Sequence, residues 1–168
     1  MCLFFWRKKT VPPVNDITVV YLTVPYKKVQ GKDWCLPASA QMIMAYYGRA
    51  VAQATIANRV VIGGNPNLFK LLSYARELGY EAEWKRIAIG EIEDNLRQGV
   101  PLIAIQKYSN TIPYEHSRVI TGFDTIKQEL TMHDSAGKSN YKISYDEYFK
   151  LGFDDSKMSQ IIIIKCQH

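Results

Sequence analysis

The chain has 168 residues, of which 47% are hydrophobic and 22% are charged, values close to the average for globular proteins. This length is sufficient for one domain, and the composition excludes a disordered, collagen-like or coiled-coil chain. The 21 basic residues outnumber the 16 acidic ones, but they are scattered, and the longest basic run is Arg7-Lys8-Lys9. A nucleic-acid-binding module more often groups its basic residues in one stripe beside exposed aromatic residues, so no nucleic-acid partner is predicted.

Residues 1–16 are predicted to form a flexible or membrane-proximal segment, followed by one folded domain over residues 17–168. The apolar residues 3–6 precede the basic run, which is the reverse of the order in a secretory signal peptide. Four apolar residues are also far fewer than the ~20 that a transmembrane helix needs. Three interpretations remain open: a loosely ordered start, the remnant of an export segment, or a lipid-bearing Cys2 that brings the segment to a membrane surface.

The first half of the domain has mainly helical patterns. β-Branched and aromatic residues over 17–22 predict a strand. A buried helix is predicted from two features: a helix start at residues 33–37, with Pro37 in the first turn, and an almost continuous apolar stretch up to Gly48. Helical spacing predicts three further helices and one intervening strand, in this order: a helix over 51–60, a helix capped by Asn65-Pro66 and closed by Gly79, a strand over 80–86, and a helix over 90–98.

After Gly99 the pattern changes to strands. Strands are predicted over 100–106, 116–123, 129–134 and 141–143, then a helical turn over 145–151 and a last strand over 159–165. Four consecutive isoleucines in the last strand indicate that both of its faces are covered, so it should lie inside the sheet. The predicted fold is α+β, with an N-terminal helical layer packed on a C-terminal antiparallel β-sheet.

Cys35 is a candidate nucleophile because it lies at the predicted start of the buried helix. Unpaired backbone N–H groups and the positive end of the helix dipole stabilise a thiolate there and lower the pKa of the thiol. Such a thiol becomes a nucleophile when a base is close to it. Gln30, on the loop just before the helix, is placed to donate a hydrogen bond to an oxyanion beside the sulfur, with the Cys35 N–H as the second donor.

The base has to be one of three histidines, one of which is the terminal residue. His116 opens a predicted strand, and His133 lies on the next strand directly before Asp134. If these strands are neighbours, the Asp134 carboxylate holds the His116 imidazole in the required tautomer. Alternation along the strand points His133 to the opposite face, so His116 is the preferred base.

Two blocks of residues extend this set into a recognisable pattern. The first contains Val24-Pro25-Tyr26, Gln30, Cys35-Leu36-Pro37-Ala38-Ser39 and Tyr46-Tyr47-Gly48; the second contains His116-Ser117-Arg118-Val119-Ile120-Thr121-Gly122-Phe123-Asp124, followed by Asp134. In both blocks the sequence resembles the papain-like cysteine peptidases that process double-glycine leader peptides of bacteriocins, and most closely their stand-alone relatives. The resemblance implies a papain-like fold, a peptide or protein substrate, and no cofactor or metal. It also implies the following catalytic set: Cys35 as nucleophile forming a thioester, His116 as base, Asp134 as orienting residue and Gln30 as oxyanion donor.

Leu36 departs from the family pattern, in which the residue after the nucleophile is usually Gly. A side chain there is expected to narrow the cleft or shift the backbone near the sulfur. Three functions therefore stay open: a cysteine peptidase, a catalytically weak peptide-binding module, and a thiol acyltransferase or transpeptidase with the same residues. Tyr108 and Tyr114, on the loop before His116, are either walls of a substrate groove or exposed loop aromatics.

The compartment and the oligomeric state stay open at this point. Stand-alone members of the family are often found outside the cytoplasm, which slightly favours an extracytoplasmic or membrane-associated location over a cytoplasmic one. The N-terminal segment is the candidate for any membrane contact.

Overall fold

The computed structural model describes residues 17–166 of the chain. The predicted N-terminal segment 1–16, which includes Cys2, and the terminal His168 lie outside the described residues, and their assignments stay predictions. In chain order the described elements are β1 (Val19–Tyr21), α1 (Cys35–Tyr46), α2 (Gln53–Val60), β2 (Val61–Ile62), β3 (Asn65–Pro66), α3 (Leu68–Glu77), β4 (Tyr80–Ile87), α4 (Ile89–Arg97), β5 (Leu102–Lys107), β6 (Glu115–Asp124), β7 (Glu129–Asp134), β8 (Lys138–Ser144), α5 (Tyr145–Lys150) and β9 (Ser159–Cys166).

A seven-stranded antiparallel sheet forms the centre of the fold. Six strands follow the order β4-β9-β5-β6-β7-β8, and the short β1 pairs with the second half of β6. Strands β5, β6 and β7 are neighbours in space as they are in the chain, because short connections join antiparallel strands directly. The predicted antiparallel sheet is therefore observed, and β1 and β4 from the first half of the chain also belong to it.

Strand β9 lies between β4 and β5 and faces a hydrophobic core on each side. Ile162 and Ile164 belong to a first core together with residues of α1, α2 and α3. Ile161 and Ile163 belong to a second core together with residues of α4 and α5. Because successive strand residues point to opposite faces, the two cores lie on opposite sides of the sheet. The prediction of an interior strand with two covered faces is confirmed, and α4 and α5 add a second helical layer.

The predicted start of the third helix is wrong. Asn65-Pro66 was expected to cap the third helix, but these two residues form β3 and pair with β2. The helix begins at Leu68, and Asn67 is its N-cap, with its side chain accepting a hydrogen bond of 3.0 Å from the Lys70 N–H. A tight turn through Gly63 and Gly64, both at positive φ, holds Asn65 in an extended hairpin that a helix start does not allow.

Helix α1 is the element that positions the candidate nucleophile. It is buried along almost its whole length, as the apolar pattern predicts. Gly48 adopts a positive φ of 79° and ends the helix, with its N–H donating to the Ala45 carbonyl at 3.0 Å. The buried hydroxyls of Ser39 and Ser117 lie 3.2 Å apart and join the first turns of α1 to the start of β6. This packing brings Cys35, the first residue of α1, to the end of the sheet where His116 lies.

No helix in the range 17–166 is long and apolar enough to cross a bilayer.

Candidate active site

His116 and Asp134 form the best-defined pair of the site. His116 Nε2 lies 2.8 Å from Asp134 Oδ1, and both side chains are buried. His116 is the second residue of β6 and Asp134 the last of β7, so the pairing of these strands brings them together. A register irregularity between Met132 and Asp134 on the other edge of β7 marks a local distortion at this position.

The Cys35 thiol is half-buried and interacts with the His116 imidazole. Burial raises the pKa of Cys35, but hydrogen bonds to His116 and Ser117 and the charge of His116 outweigh it, so the pKa lies below its ordinary value. Burial lowers the pKa of His116, but hydrogen bonds and charges from Asp134 and Cys35 raise it above its ordinary value. Both shifts favour a thiolate–imidazolium pair, the reactive form of a catalytic cysteine.

Asp134 is held in its ionised form by several donors. Its Oδ1 accepts a hydrogen bond from the Ala136 N–H at 2.9 Å in addition to the one from His116, and its Oδ2 accepts from Arg118 Nε at 2.9 Å. Burial raises the pKa of Asp134, but the hydrogen bond and charge of His116, with smaller contributions from Ala136 and Arg118, lower it to about 2. The carboxylate is therefore charged at neutral pH and able to orient the imidazole.

Gln30 lies on the loop between β1 and α1, with an exposed side chain. The Val29 N–H donates to the Ser135 carbonyl at 3.0 Å, and the Tyr26 hydroxyl donates to the Asp134 carbonyl at 3.2 Å. These contacts place the loop of Gln30 beside the residues that follow β7. The role of Gln30 as oxyanion donor stays a prediction.

Gln53, a residue without a predicted role, holds this loop in place through hydrogen bonds. It is fully buried; its Oε1 accepts a hydrogen bond of 2.7 Å from the Gln30 N–H, and its Nε2 donates to the Lys28 carbonyl at 3.2 Å and to Gln41 Oε1 at 3.1 Å. A signal was present in the sequence: Gln53 precedes the buried Ile56 by three positions and Ala57 by four, so it lies on the buried face of α2.

Leu36 does not occupy the cleft. Its side chain is 4% exposed and packs in the first core. Because α1 is buried on this side, the residue after Cys35 points into the protein, away from the thiol. The expected narrowing of the cleft by this side chain is therefore not observed.

His133 has a structural position. Its Nε2 donates to the Val24 carbonyl at 2.9 Å, and its Nδ1 accepts from the Asn140 N–H at 3.0 Å. Burial lowers the pKa of His133, and the hydrogen bond to Val24 offsets this only in part, so the ring is held neutral. With both nitrogens bound to the backbone, His133 is not available as a base, in agreement with the preference for His116.

Two tyrosines form an aromatic pair beside His116. The Tyr108 ring stacks on the Tyr114 ring at 5.0 Å between centroids and meets the His116 ring edge-on, also at 5.0 Å. Tyr114 is 57% exposed, and the Tyr108 N–H donates to the Tyr114 carbonyl at 2.9 Å, which closes the hairpin between β5 and β6. The pair forms an apolar surface next to the candidate catalytic residues.

Within residues 17–166, no group of three or more His, Cys, Asp or Glu side chains is arranged to hold a metal ion.

Comparisons with solved structures identify the class of fold. A double glycine motif protease from an AMS/PCAT transporter, solved in complex with the leader peptide, has a TM-score of 0.69 at 20% identity and covers 90% of this chain and 100% of its own. A C39-like peptidase from Bacillus anthracis has a TM-score of 0.69 at 18% identity, and the match covers 90% of this chain and 99% of that peptidase. Xylellain, a cysteine protease from Xylella fastidiosa, has a TM-score of 0.63 at 12% identity, and the match covers 92% of this chain and 88% of xylellain. The predicted α+β, papain-like fold class is thereby confirmed.

The sequence itself shows the family. A model of the Peptidase_C39-like family matches residues 10–157, which is most of the chain, and the chain therefore belongs to this family. No curated protein matches the sequence significantly. The resemblance inferred from the two blocks of residues is confirmed, and membership in the family makes the protein a peptidase.

Proposed function

We propose that the protein is a cysteine peptidase in which Cys35 is the nucleophile, His116 the base and acid, and Asp134 the residue that orients His116. The observation that carries this proposal is the continuous arrangement of the Cys35 thiol, the His116 imidazole and the Asp134 carboxylate, with 2.8 Å between the last two. Three groups in this order, within one half-buried site, form an activated nucleophile with its base and orienting group.

The reaction follows from this arrangement. The Cys35 thiolate attacks the carbonyl carbon of a peptide bond, and the Cys35 N–H together with Gln30 stabilises the resulting oxyanion. The imidazolium of His116 then gives its proton to the leaving amine, the C–N bond breaks, and a thioester remains on Cys35. His116, now neutral, takes a proton from a water molecule that attacks the thioester, which releases the acid product and regenerates the pair.

The substrate is a peptide or protein. A double glycine motif protease of the same fold was solved with a leader peptide bound, which suggests a peptide with two adjacent glycines as the first probe. A mixed peptide library is the second probe, because this chain and that protease share only 20% of their residues. The membrane contact of residues 1–16 remains a prediction, as does the slight preference for an extracytoplasmic or membrane-associated location over a cytoplasmic one.

The proposal is tested first on the thiol itself. The rate of alkylation of Cys35 by iodoacetamide is measured between pH 5 and 9 by mass spectrometry of the peptide that contains it. The wild-type thiol should react faster than an ordinary thiol below about pH 7, and His116→Ala should move the midpoint of the pH curve upward. If Cys35 reacts no faster than a free cysteine, the proposed thiolate–imidazolium pair does not exist.

Cleavage of the probe peptides completes the test, with Cys35→Ala as the inactive control. Hydrolysis yields a free carboxyl terminus, whereas added amine acceptors divert the thioester to a new amide if the protein is an acyltransferase or transpeptidase. Binding of the peptides with no product under either condition indicates a peptide-binding module. The burial of Leu36 in the first core supports the peptidase over this last alternative.

A further inference from the structure

Arg118 is a buried arginine two residues after His116 on β6. Only 5% of Arg118 is exposed, and a guanidinium in such a position is costly unless its donors are paired. Its Nε donates to Asp134 Oδ2 at 2.9 Å, its Nη1 to the Lys107 carbonyl at 3.1 Å and its Nη2 to the Tyr108 carbonyl at 2.6 Å. One side chain thus connects the carboxylate of the site to the hairpin that carries the aromatic pair.

The contacts of Asp134 are divided between its two oxygens. Oδ1 accepts from His116 and from the Ala136 N–H, whereas Oδ2 accepts from Arg118. Donors on Oδ1 alone leave the carboxylate some freedom to rotate about the bond to Cβ. A donor on each oxygen fixes its plane, and with it the direction from which His116 is held.

The charges of the site also balance. The Cys35 thiolate and the Asp134 carboxylate are negative, and the His116 imidazolium and the Arg118 guanidinium are positive. Their sum is zero, so the ionised form of the whole group places no net charge in a mostly buried region. Without Arg118 the same group has a net negative charge.

We propose that Arg118 is a positioning residue of this active site, which fixes the plane of the Asp134 carboxylate and through it the orientation of the His116 imidazole. The inference rests on the proposed cysteine peptidase function and deepens it. A lysine cannot replace Arg118 here, because its single ammonium group does not reach a carboxylate and two carbonyl oxygens in the geometry of a planar fork.

A double-mutant cycle tests the proposal. Arg118→Met is made in the wild-type and in the Asp134→Asn background, and the rates of Cys35 alkylation and of peptide cleavage are measured for all four proteins. Arg118→Met should lower both rates about tenfold or more in the wild type, but less than about threefold when Asp134 is already replaced. Arg86→Met is the matched control: this arginine pairs with Asp154 at 2.7 Å on the exposed edge strand β4, and its loss should leave both rates unchanged.

Arg118→Lys keeps the proposal testable if Arg118→Met does not fold. This variant keeps the buried positive charge and should fold, with a lower urea midpoint than the wild type because some of the three acceptors lose their donor. It should lose cleavage rate mainly through kcat, with a KM within about threefold of the wild type. Additive effects of Arg118→Met and Asp134→Asn, or full activity of Arg118→Lys, overturn the inference. Slow alkylation of wild-type Cys35 instead overturns the proposed function, so the two failures are distinguishable.

Discussion

The Asp134 carboxylate combines a strong shift of its pKa with a position at the centre of the site. Its pKa of about 2 lies below the ordinary value of 3.8, because hydrogen bonds and positive charges outweigh the effect of burial. A carboxyl group whose pKa is lower in the folded state stabilises the fold at pH values above its unfolded pKa. This contribution disappears as the pH falls from about 4 through about 2.

This shift predicts a pH-dependent effect of Asp134→Asn. At pH 7 the substitution should lower the free energy of unfolding by about 2 kcal/mol, the value that corresponds to the shift in pKa. The difference between wild type and variant should shrink as the pH is lowered to 3, because the carboxyl group then takes up a proton in the unfolded wild-type chain while it is still ionised in the folded protein. Urea unfolding at several pH values measures it. Asp155→Asn, on an exposed residue, is the control, and a difference that stays constant with pH contradicts the prediction.

At the scale of elements, the loop before α1 and the hairpin before His116 form two sides of the site. The loop has no regular hydrogen-bond ladder of its own between residues 22 and 34. It is instead fixed by side chains and carbonyls from other elements, notably Gln53 from α2 and Ser135 after β7. The position of the Gln30 backbone therefore depends on the buried amide of Gln53.

We predict that replacement of the Gln53 amide lowers activity, because the loop of Gln30 loses the hydrogen bonds that position it. Gln53→Leu removes the acceptor of the Gln30 N–H and the donor to the Lys28 carbonyl, so hydrogen exchange of the amides at 28–30 should become faster. The kcat of peptide cleavage should fall about tenfold, since oxyanion donors act only when correctly placed. Gln98→Leu, at the exposed C-cap of α4, should change neither measurement. Unchanged exchange at 28–30 in Gln53→Leu contradicts this role of Gln53.

We predict that the hairpin between β5 and β6 contributes to substrate binding. Tyr114 is exposed and is stacked on Tyr108, whose ring contacts His116, so a bound peptide should cover it. Tyr114→Ala should raise the KM of peptide cleavage about fivefold with little change in stability, whereas Tyr114→Phe should behave like the wild type. Phe69→Ala removes an aromatic ring of similar exposure on α3 and serves as the control. A KM that does not change in Tyr114→Ala shows that the aromatic pair lies outside the substrate cleft.

At the scale of the whole molecule, the two cores share the strand β9. Its isoleucines alternate between the helices α1–α3 on one face and α4–α5 on the other. The first core supports the helix of Cys35 and the second supports the opposite face of the sheet that holds His116 and Asp134. We therefore expect the stability of the domain to depend on both cores to a similar extent.

We predict that substitutions on the two faces of β9 lower the free energy of unfolding to the same extent. Ile162→Ala and Ile163→Ala should each lower the free energy of unfolding by about 3 kcal/mol, because both side chains are almost fully buried and each substitution leaves a cavity. Ile126→Ala, at a residue that is 78% exposed, should change it by less than about 0.5 kcal/mol. Urea unfolding followed by circular dichroism measures these values. A large effect from only one of the two buried isoleucines contradicts the prediction.

Much of the secondary structure was predictable because its signals are local. The helix that begins at Cys35 follows from Pro37 and a run of apolar residues, and β7 was predicted with its observed bounds. The proximity of His116 and Asp134 was also predictable, since only the turn at residues 125–128 separates their strands. The cap of α3 was missed because Asn65 and Asn67 have the same local preference, and the hairpin of β2 and β3 decides between them.

The sequence alone thus determined most of the elements, the fold class, the family and the pairing of His116 with Asp134, because these depend on neighbouring residues and short connections. Only the tertiary structure decided that Cys35 meets His116, that Arg118 binds the second oxygen of Asp134, and that Gln53 supports the loop of Gln30. These contacts join elements that are distant in the chain or depend on which way a side chain points. Their formation follows from how the helices pack on the two faces of the sheet, which local patterns of residues do not specify.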